Sequence, residues 1–341
     1  MKKYLQMLLI FVLITTAAPM AVTYALSGKP IFPGEGTSEN MKETPSDNSK
    51  SEISDKADGN DLFQSIEIYD CLADRLVRIG VEEYVAGVVY ASMPASFGTE
   101  ALKAQAIVIR TLVYYRSRHQ ICCDKHGTVL CTDGSCCLPY ETYESSLGDV
   151  SQDAADTSYE AVMAAVAETA GLYLSYGEEP INALFHASSS GRTENSNAVL
   201  GEAILYLSSV TTPDESDLSV FTHDYLFTAK EFCRLTGLET NEADSRSWSI
   251  RSVTNESGRC ETVLIEGIAF SGTRLMRLLG LASTHFDITV SEAGVEITSQ
   301  GIGHGLGMSQ YGACLMAKDG SRYEDILYHY YQNTVIVRAD Q

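Results

Sequence analysis

Basic residues are scarce in this sequence. Its 341 residues contain 24 Lys and Arg against 45 Asp and Glu, which gives a net charge of −21. Because a nucleic-acid-binding surface needs clustered Lys and Arg to neutralise phosphates, this composition excludes nucleic acid as a partner. Internal repeats are absent, and the single tryptophan, Trp248, is expected in the core. With 45% hydrophobic residues the chain can bury a full core, so disorder throughout is excluded.

Long apolar runs are equally rare. One uncharged run, from Tyr4 to Ser27, is long enough to cross a bilayer, which takes about 20 residues. Lys2 and Lys3 precede it and indicate that its start stays in the cytoplasm. We therefore predict a membrane anchor over residues 1–27 and a single-pass protein of the cell membrane whose C-terminal domain is exported. A cleaved signal peptide is the alternative, because small residues around Ala18 suit a peptidase.

Apolar residues almost vanish between residues 28 and 65, where Ser, Asn, Asp, Glu, Lys, Gly and Pro dominate. Such a segment cannot bury enough surface to offset the entropy lost on ordering. The composition predicts a flexible polar tether over residues 28–65 and a folded domain over residues 66–341.

The remaining sequence mixes helical and strand-like patterns, which predicts an α+β domain with a helical segment near its start and several mixed strands. Thr99 is the predicted N-cap of the longest helix. The predicted helices span residues 82–89, 100–119, 159–170, 309–318 and 323–331, and the predicted strands span residues 77–81, 172–176, 181–185, 249–253, 261–265, 286–297 and 334–338.

Three blocks of sequence are candidates for chemistry. Block one, residues 81–111, has the pattern of two packed helices separated by a Met-Pro break, so its residues alone indicate core. Block two, residues 185–196, is a hydroxyl-rich loop (FHASSSGRTENS) that suits either a polar ligand or plain surface. Block three, residues 301–313, alternates glycines around His304, which lets backbone approach a ligand closely or makes a tight turn around a packed histidine. It lacks the GK[ST] of a P-loop and does not fit a dinucleotide fingerprint.

Together the three blocks resemble the stage II sporulation protein D family, which includes the amidase enhancers. The resemblance runs from Val81 to Tyr331 through EEYVAGVV, MPASF, EALKAQA, FHASSSGRTEN, FSGTRLMRLLGL and GHGLGMSQYGA followed by ILYHYY. It implies septal peptidoglycan remodelling during the engulfment step of endospore formation, by a lytic transglycosylase that cuts stem-peptide-free glycan strands. The implied partners are these strands, an amidase and membrane proteins of the sporulation septum.

Ser92 departs from the family pattern, which has its catalytic glutamate immediately before Met-Pro. A serine hydroxyl does not ionise near neutral pH, and losing general acid–base catalysis costs about 10²- to 10⁴-fold in rate. Glu100 and Glu194 are the candidate replacements, although an acid in a first helical turn, such as Glu100, also stabilises the helix. A second departure is Ala282, where the family usually has arginine. The alternative function is therefore a catalytically impaired glycan-binding partner that enhances or localises an amidase.

The glycan contacts are expected from blocks two and three, which carry hydroxyl, imidazole, amide and glycine groups. The candidate substrate-binding residues are His186, Ser189, Ser190, Thr193, Gly303, His304, Gln310 and Tyr311.

Nine cysteines form a separate pattern, with five of them between residues 122 and 137. A Cys₃His set of His126, Cys131, Cys136 and Cys137 has the composition of a structural zinc site, and some sporulation members of the family have a Cys/His zinc site in this loop. Disulfides are the alternative for an exported chain, and free thiols are a third. The cysteines outside the loop are expected to be small buried hydrophobes, namely Cys71, Cys233, Cys260 and Cys314.

Overall fold

The computed structural model describes residues 64–123, 125–134, 136–146, 152–240 and 245–339. The predicted anchor, and the predicted tether up to residue 63, lie outside these residues. Within the described part of the chain, no helix has both the length and the apolar character to cross a membrane.

The described chain mixes helices and sheets, which confirms the predicted α+β class. Its helices are α1 (Val81–Ser92), α2 (Thr99–Arg118), α3 (Tyr143–Ser146), α4 (Gln152–Glu168), α5 (Ser196–Leu200), α6 (Ala229–Thr236), α7 (Gly272–Leu279), α8 (Gln310–Lys318) and α9 (Tyr323–Tyr330). Its strands are β1 (Ser65–Asp70), β2 (Arg75–Gly80), β3 (Leu130–Cys131), β4 (Leu172–Tyr176), β5 (Glu179–Pro180), β6 (Phe185–His186), β7 (Thr222–Phe227), β8 (Ile250–Thr254), β9 (Cys260–Ile265), β10 (Ile268–Ser271), β11 (Phe286–Val290), β12 (Val295–Gln300), β13 (Met308–Ser309) and β14 (Val335–Arg338).

The first lobe, residues 65–210 and 308–339, has a largely helical core. Helix α2 runs through its centre, packed by α1, α4, α8 and α9, and is buried along most of its length because alanines and aliphatic side chains cover it on nearly every face. Two small sheets flank the helices, in the strand orders β2-β1-β3 and β14-β4-β5.

The start of α2 differs from the prediction by one residue. Gly98, not Thr99, holds the N-cap position, and its φ of +95° is a conformation that glycine adopts without steric cost. Thr99 is instead the first helical residue.

The second lobe, residues 222–300, is built from two antiparallel three-stranded sheets, in the orders β10-β9-β8 and β11-β12-β7. Helices α6 and α7 cover them, and a separate hydrophobic cluster fills the space between. Trp248 is buried there against Phe232, as the sequence predicts.

Three further predictions of strands and helices need correction. The run 286–297 is two strands, because Gly294 at φ +139° closes a turn that reverses the chain between β11 and β12. Residues 181–184 are not a strand. The neighbouring strand β4 pairs on one side with β14 and on the other with the two-residue β5, which ends at Pro180. Helix α4 begins at Gln152 rather than at Tyr159, because its first two turns are mostly polar and carry little apolar periodicity.

The two segments of the first lobe, which precede and follow the second lobe in the sequence, are joined by strand pairing. Strand β6 pairs in parallel with β13, in the register Phe185↔Met308 and His186↔Ser309. A bridge between Ser188 and Ile302 extends this contact. Blocks two and three are therefore neighbours at the junction between the lobes.

Candidate functional site

Ser92 lies in the last turn of α1, next to block three. Its hydroxyl donates a hydrogen bond to the Val88 carbonyl at 2.6 Å, back along its own helix. Its carbonyl accepts a hydrogen bond from Gln310 Nε2 at 3.0 Å. The structure thus joins the Ser92 position to the start of α8, and the Ser92 hydroxyl is engaged within its helix.

Glu100 is held by two hydrogen bonds. Its carboxylate accepts from the Tyr323 backbone N–H at 2.9 Å and from Lys103 Nζ at 3.0 Å. Burial acts to raise the pKa of Glu100, but these hydrogen bonds and the Lys103 charge prevail and lower it. Glu100 is therefore an ionised carboxylate that ties α2 to α9.

Glu194 connects the two lobes. One carboxylate oxygen accepts from the Asn195 N–H, and the other accepts from Asn255 Nδ2 and Ser257 Oγ, each at 2.8 Å. The side chain is buried, so all of these bonds form out of contact with solvent. Glu194 has a structural role here and leaves little acceptor capacity for a ligand.

His186 and His304 form an internal pair with ring centroids 6.0 Å apart. His186 Nδ1 donates to the Leu306 carbonyl at 3.1 Å, so its Nε2 accepts from Ser189 Oγ at 2.5 Å. His304 Nδ1 accepts the Leu306 N–H at 3.0 Å, and its ring also bonds the backbone of Phe185. Both imidazoles are thus committed to holding blocks two and three together.

Both histidines are uncharged at neutral pH. Burial lowers the pKa of His186 well below its ordinary value, assisted by the charges of His304 and Arg259. Burial likewise lowers the pKa of His304, to about 4, with a smaller contribution from Arg259.

Glu215 is a site residue that the sequence analysis missed. Only 1% exposed, it accepts hydrogen bonds from Ser188 Oγ at 2.6 Å, the Ser189 N–H at 3.0 Å and Ser309 Oγ at 2.8 Å. Ser309 also caps α8 by accepting the Gly312 N–H. Burial raises the pKa of Glu215 to about 7, although the three hydrogen bonds act to lower it. Glu215 therefore clamps block two to block three.

Several residues of the junction are accessible to solvent. Ser190, Gly303 and Tyr311 are partly exposed there, whereas Thr193 is buried and bonded to the Val210 backbone. His285, from the second lobe, hydrogen-bonds to Ser190 and is also partly exposed. Burial and the Arg259 charge lower the pKa of His285. No motif surrounds His285, so only the fold reveals that it belongs to this face.

Arg259 lies beneath block three. Its Nη1 donates to Thr284 Oγ1 at 3.2 Å and to the Gly303 carbonyl at 3.3 Å. The guanidinium packs against Gly305, where an added Cβ would lie 2.4 Å from Nη2. A side chain at position 305 would therefore displace the guanidinium below it.

The cysteine loop brings together three of the four predicted metal ligands. The sulfur atoms of Cys131, Cys136 and Cys137 lie with that of Cys123 within 4.8 Å of one another, and Cys123 and Cys136 form a disulfide. His126 stacks on Tyr69, and its ring lies with the sulfur atoms of Cys71 and Cys131 in a second group whose ligand atoms are within 4.8 Å of one another, so the two groups share Cys131.

The other cysteines follow the prediction with one exception. Cys71 is partly exposed beside the loop, whereas Cys233, Cys260 and Cys314 are buried. Within the loop, the Cys131 hydrogen bond outweighs burial and lowers the pKa of Cys137 to about 6, and Arg116 contributes in the same direction.

Comparison with known proteins agrees with the sequence motifs. The stage II sporulation protein family model matches residues 73–176. Stage II sporulation protein D of Bacillus subtilis (strain 168) is 34% identical over 278 residues, which cover 81% of this chain and 80% of that protein. The protein of the same name from Bacillus amyloliquefaciens is 33% identical, over 81% of this chain and 79% of its own length. An amidase enhancer of Bacillus subtilis (strain 168) is 26% identical over 73% of this chain and 40% of that protein.

The chain therefore belongs to the stage II sporulation protein D family, and this membership supports a role in the sporulation cell wall.

Proposed function

We propose that this member of the stage II sporulation protein D family binds stem-peptide-free glycan strands during septal remodelling but lacks an efficient transglycosylase acid. The observation that carries the proposal is the Ser92 hydroxyl, which donates to the Val88 carbonyl at the position of the family's glutamate. A neutral hydroxyl bonded within its own helix cannot protonate a glycosidic oxygen, as a carboxylic acid with a raised pKa can.

The carboxyls that the sequence nominates as replacements are already engaged. Glu100 has a lowered pKa and is bonded to Tyr323 and Lys103, so it is ionised when an acid is needed. Glu194 is buried and bonded to Asn255 and Ser257. Blocks two and three, by contrast, are fully assembled around Glu215. An intact junction without a free acid favours binding over cleavage.

The second candidate function is the transglycosylase itself, with Glu215 as its acid. The observation in its favour is the pKa of this carboxyl, about 7, which suits a general acid at neutral pH. Against it stand the 1% exposure of Glu215 and the use of both its oxygens by serines. The proton would have to pass through Ser188 or Ser309, which makes this the weaker candidate.

The cellular setting follows from family and sequence together. A glycan-binding protein that does not cut would act with an amidase, which fits the similarity to a protein named amidase enhancer. The predicted anchor over residues 1–27 would hold the domain at the sporulation septum. Loss of septal localisation on deleting residues 1–27 would support this part of the proposal, and unchanged localisation would contradict it.

We further propose that the cysteine loop holds a structural zinc ion when its disulfide is reduced. The residues fit the metal, because four thiolates within 4.8 Å of one another match a tetrahedral Cys₄ site better than the predicted set with His126. Cys123, Cys131, Cys136 and Cys137 would hold the ion, and it would staple a loop that has a small core of its own. Metal analysis of protein purified without chelator should give one zinc per chain with the four thiols protected. Metal-free protein with a mapped Cys123–Cys136 disulfide would contradict it.

The test of the main proposal compares the natural chain with Ser92→Glu. Both are incubated with amidase-denuded glycan strands, binding is measured by cosedimentation, and anhydro-sugar ends are measured by mass spectrometry. We expect both proteins to bind, and only the Ser92→Glu protein to produce anhydro ends, by about 10²-fold or more over the natural chain.

Ser92→Ala is the matched control, since it removes the hydroxyl without adding an acid. It should behave as the natural chain does. Efficient cleavage by the natural chain would refute the proposal that it lacks an efficient transglycosylase acid. If Glu215→Gln then abolished this cleavage, the result would favour the second candidate function. Absence of binding by all three proteins would refute the glycan site.

A further inference from the structure

Arg259 has an unfilled hydrogen-bonding edge. The side chain is 1% exposed, and its Nη1 bonds Thr284 and Gly303. Nε and Nη2 have no hydrogen-bond partner among the residues that the structure describes. These two nitrogens are adjacent donors on one side of the planar guanidinium, the side that accepts a carboxylate through two parallel hydrogen bonds.

Arg110 shows what occupies the same edge elsewhere in this chain. It is also fully buried, and its Nε and Nη2 donate to Glu82 Oε1 at 2.8 Å and Oε2 at 2.5 Å. A buried charged donor without an acceptor loses its hydration free energy, and no hydrogen bond within the protein compensates for that loss. The open edge of Arg259 is therefore a place where binding an acceptor with two oxygens is favourable.

No acid in the described part of the chain fills that edge. Burial lowers the pKa of Arg259 to about 10, although the nearby charge of Glu194 acts to raise it. Arg259 therefore stays charged at neutral pH. The Glu194 oxygens are used by Asn195, Asn255 and Ser257, and its negative charge opposes a second anion without excluding one. The surrounding imidazoles of His186, His285 and His304 have lowered pKa values, so they favour the neutral form and add no positive charge beside Arg259.

Arg259 also lies where a glycan would bind. Its guanidinium is covered by Gly305, and the neighbouring Gly303 and His304 are partly exposed at the junction. An added Cβ on Gly305 would lie 2.7 Å from Nε, so the covering layer is glycine backbone without a side chain. Gly303 and Gly305 have φ values of +101° and +79°, which glycine adopts at low steric cost, and the Gly305 carbonyl accepts the Glu194 N–H at 2.7 Å, a bond that a ligand entering here would have to replace.

We propose that the open edge of Arg259 recognises the lactyl carboxylate of a muramic acid residue, reached by displacement of the Gly305 backbone. The inference rests on the proposed function, glycan binding, and adds the group that is recognised. While a stem peptide is attached, the lactyl group is an amide, with one acceptor oxygen and an N–H that would face the guanidinium. After an amidase has removed the peptide it is a carboxylate with two acceptor oxygens and a negative charge. Arg259 thus distinguishes stem-peptide-free strands from intact ones.

The first test changes the ligand and leaves the protein intact. Binding of the purified full-length chain is measured to three probes: denuded strands with free lactyl carboxylates, the same strands with these groups converted to methylamides, and N-acetylglucosamine oligomers of matched length, which lack the lactyl group. Because hydrogen bonds to charged groups contribute more than neutral ones, we expect conversion to the methylamide to weaken binding at least 10-fold. The glucosamine oligomers should bind about as weakly as the methylamide strands.

The second test changes the protein. Arg259→Lys keeps the charge but removes the paired donors, and Arg259→Met removes both, with folding of each checked by circular dichroism. In the folded variants, the preference for carboxylate over methylamide should fall to about 2-fold or less in Arg259→Met and to an intermediate value in Arg259→Lys. If Arg259→Met does not fold, the ligand series on the natural chain and Arg259→Lys decide the outcome.

The outcomes separate this inference from the proposed function. Equal binding of all three probes would overturn carboxylate recognition and leave glycan binding standing. Binding of none would overturn the proposed function. A carboxylate preference that persists at full size in a folded Arg259 variant would assign recognition to another residue and overturn the role of Arg259.

Discussion

The two lobes bury their arginines in opposite ways. In the helical first lobe, Arg110 is enclosed by Glu82 on one edge and by the Leu172 carbonyl on another, and Glu82 also accepts the Gly171 N–H. In the β-rich second lobe, the partners of Arg259 among the described residues are one hydroxyl and one carbonyl, both on Nη1. Arg110 thus has a complete ion pair that joins elements of one lobe, whereas Arg259 has two donors without partners among the described residues at the junction.

The same difference separates the two kinds of acid in the chain. Glu82 and Glu100 each join elements of the first lobe through donors that stabilise their charge. Glu215 receives only hydroxyls and one N–H, and burial raises its pKa to about 7. The junction therefore contains a carboxyl whose pKa is raised to about 7 and a guanidinium, that of Arg259, whose Nε and Nη2 have no hydrogen-bond partner among the described residues.

The largest effect is expected from breaking the ion pair between Arg110 and Glu82. Glu82→Gln removes the negative charge beside the buried Arg110 guanidinium and replaces one of its two acceptor oxygens by an NH2 group, so we expect the free energy of unfolding to fall by about 3 kcal/mol. Chemical denaturation measures it. Glu83→Gln, the adjacent and exposed position on α1, is the control and should change stability by less than about 0.5 kcal/mol. Equal effects of the two substitutions would show that the ion pair contributes nothing.

The next effect concerns pH and the junction. The pKa of Glu215 rises from its ordinary 4.5 to about 7 on folding, so the fold favours the protonated form. Its contribution to stability is complete below pH 4.5 and is lost as pH rises through 7, a loss of about 2 to 3 kcal/mol at most. Glu215→Gln cannot ionise, so the unfolding free energy of this variant relative to the natural chain should increase between pH 5 and pH 8. A difference that stays constant over this range would refute the raised pKa.

A smaller effect is expected at the open arginine. Replacing a buried, incompletely paired charge by an apolar side chain of similar length removes a desolvation penalty along with two hydrogen bonds, so Arg259→Met should change the free energy of unfolding by about 1 kcal/mol or less. Arg110→Met is the matched substitution in the first lobe and should be clearly more destabilising. If the two variants lose the same stability, the contrast between the lobes does not hold.

The smallest effect is expected at the surface. Arg118 and Glu179 form a two-point ion pair with both side chains exposed. Such pairs contribute about 0.2 to 1 kcal/mol, and salt screens them. Arg118→Gln should therefore lower stability by less than 1 kcal/mol, and the difference should shrink at 1 M salt. A salt-independent loss comparable to that of Glu82→Gln would show that solvent exposure does not distinguish these pairs.

Local sequence signals predicted the helices and the two loop blocks because those signals are short-range. Helix α2 is visible in the apolar spacing of its own residues, and the glycines of block three mark a backbone that must pass close to other atoms. Glu215, Arg259 and His285 carry no such signal, since each acquires its role from residues far away in the sequence. The cysteine loop lies between these cases: cysteine composition indicates a cluster, but only the fold shows that Cys123 joins Cys131, Cys136 and Cys137 and that His126 lies beside Cys71 and Cys131.

The parallel pairing of β6 with β13 bears on how this protein folds. Phe185 and Met308 stand on either side of the whole second lobe in the sequence, so their contact closes a very long loop. Loop closure of this kind is entropically unfavourable until the intervening chain has become compact, and non-local pairings slow folding. We therefore expect the second lobe to collapse first and the junction to form late. A nascent chain would complete this junction only after nearly all of it had been synthesised.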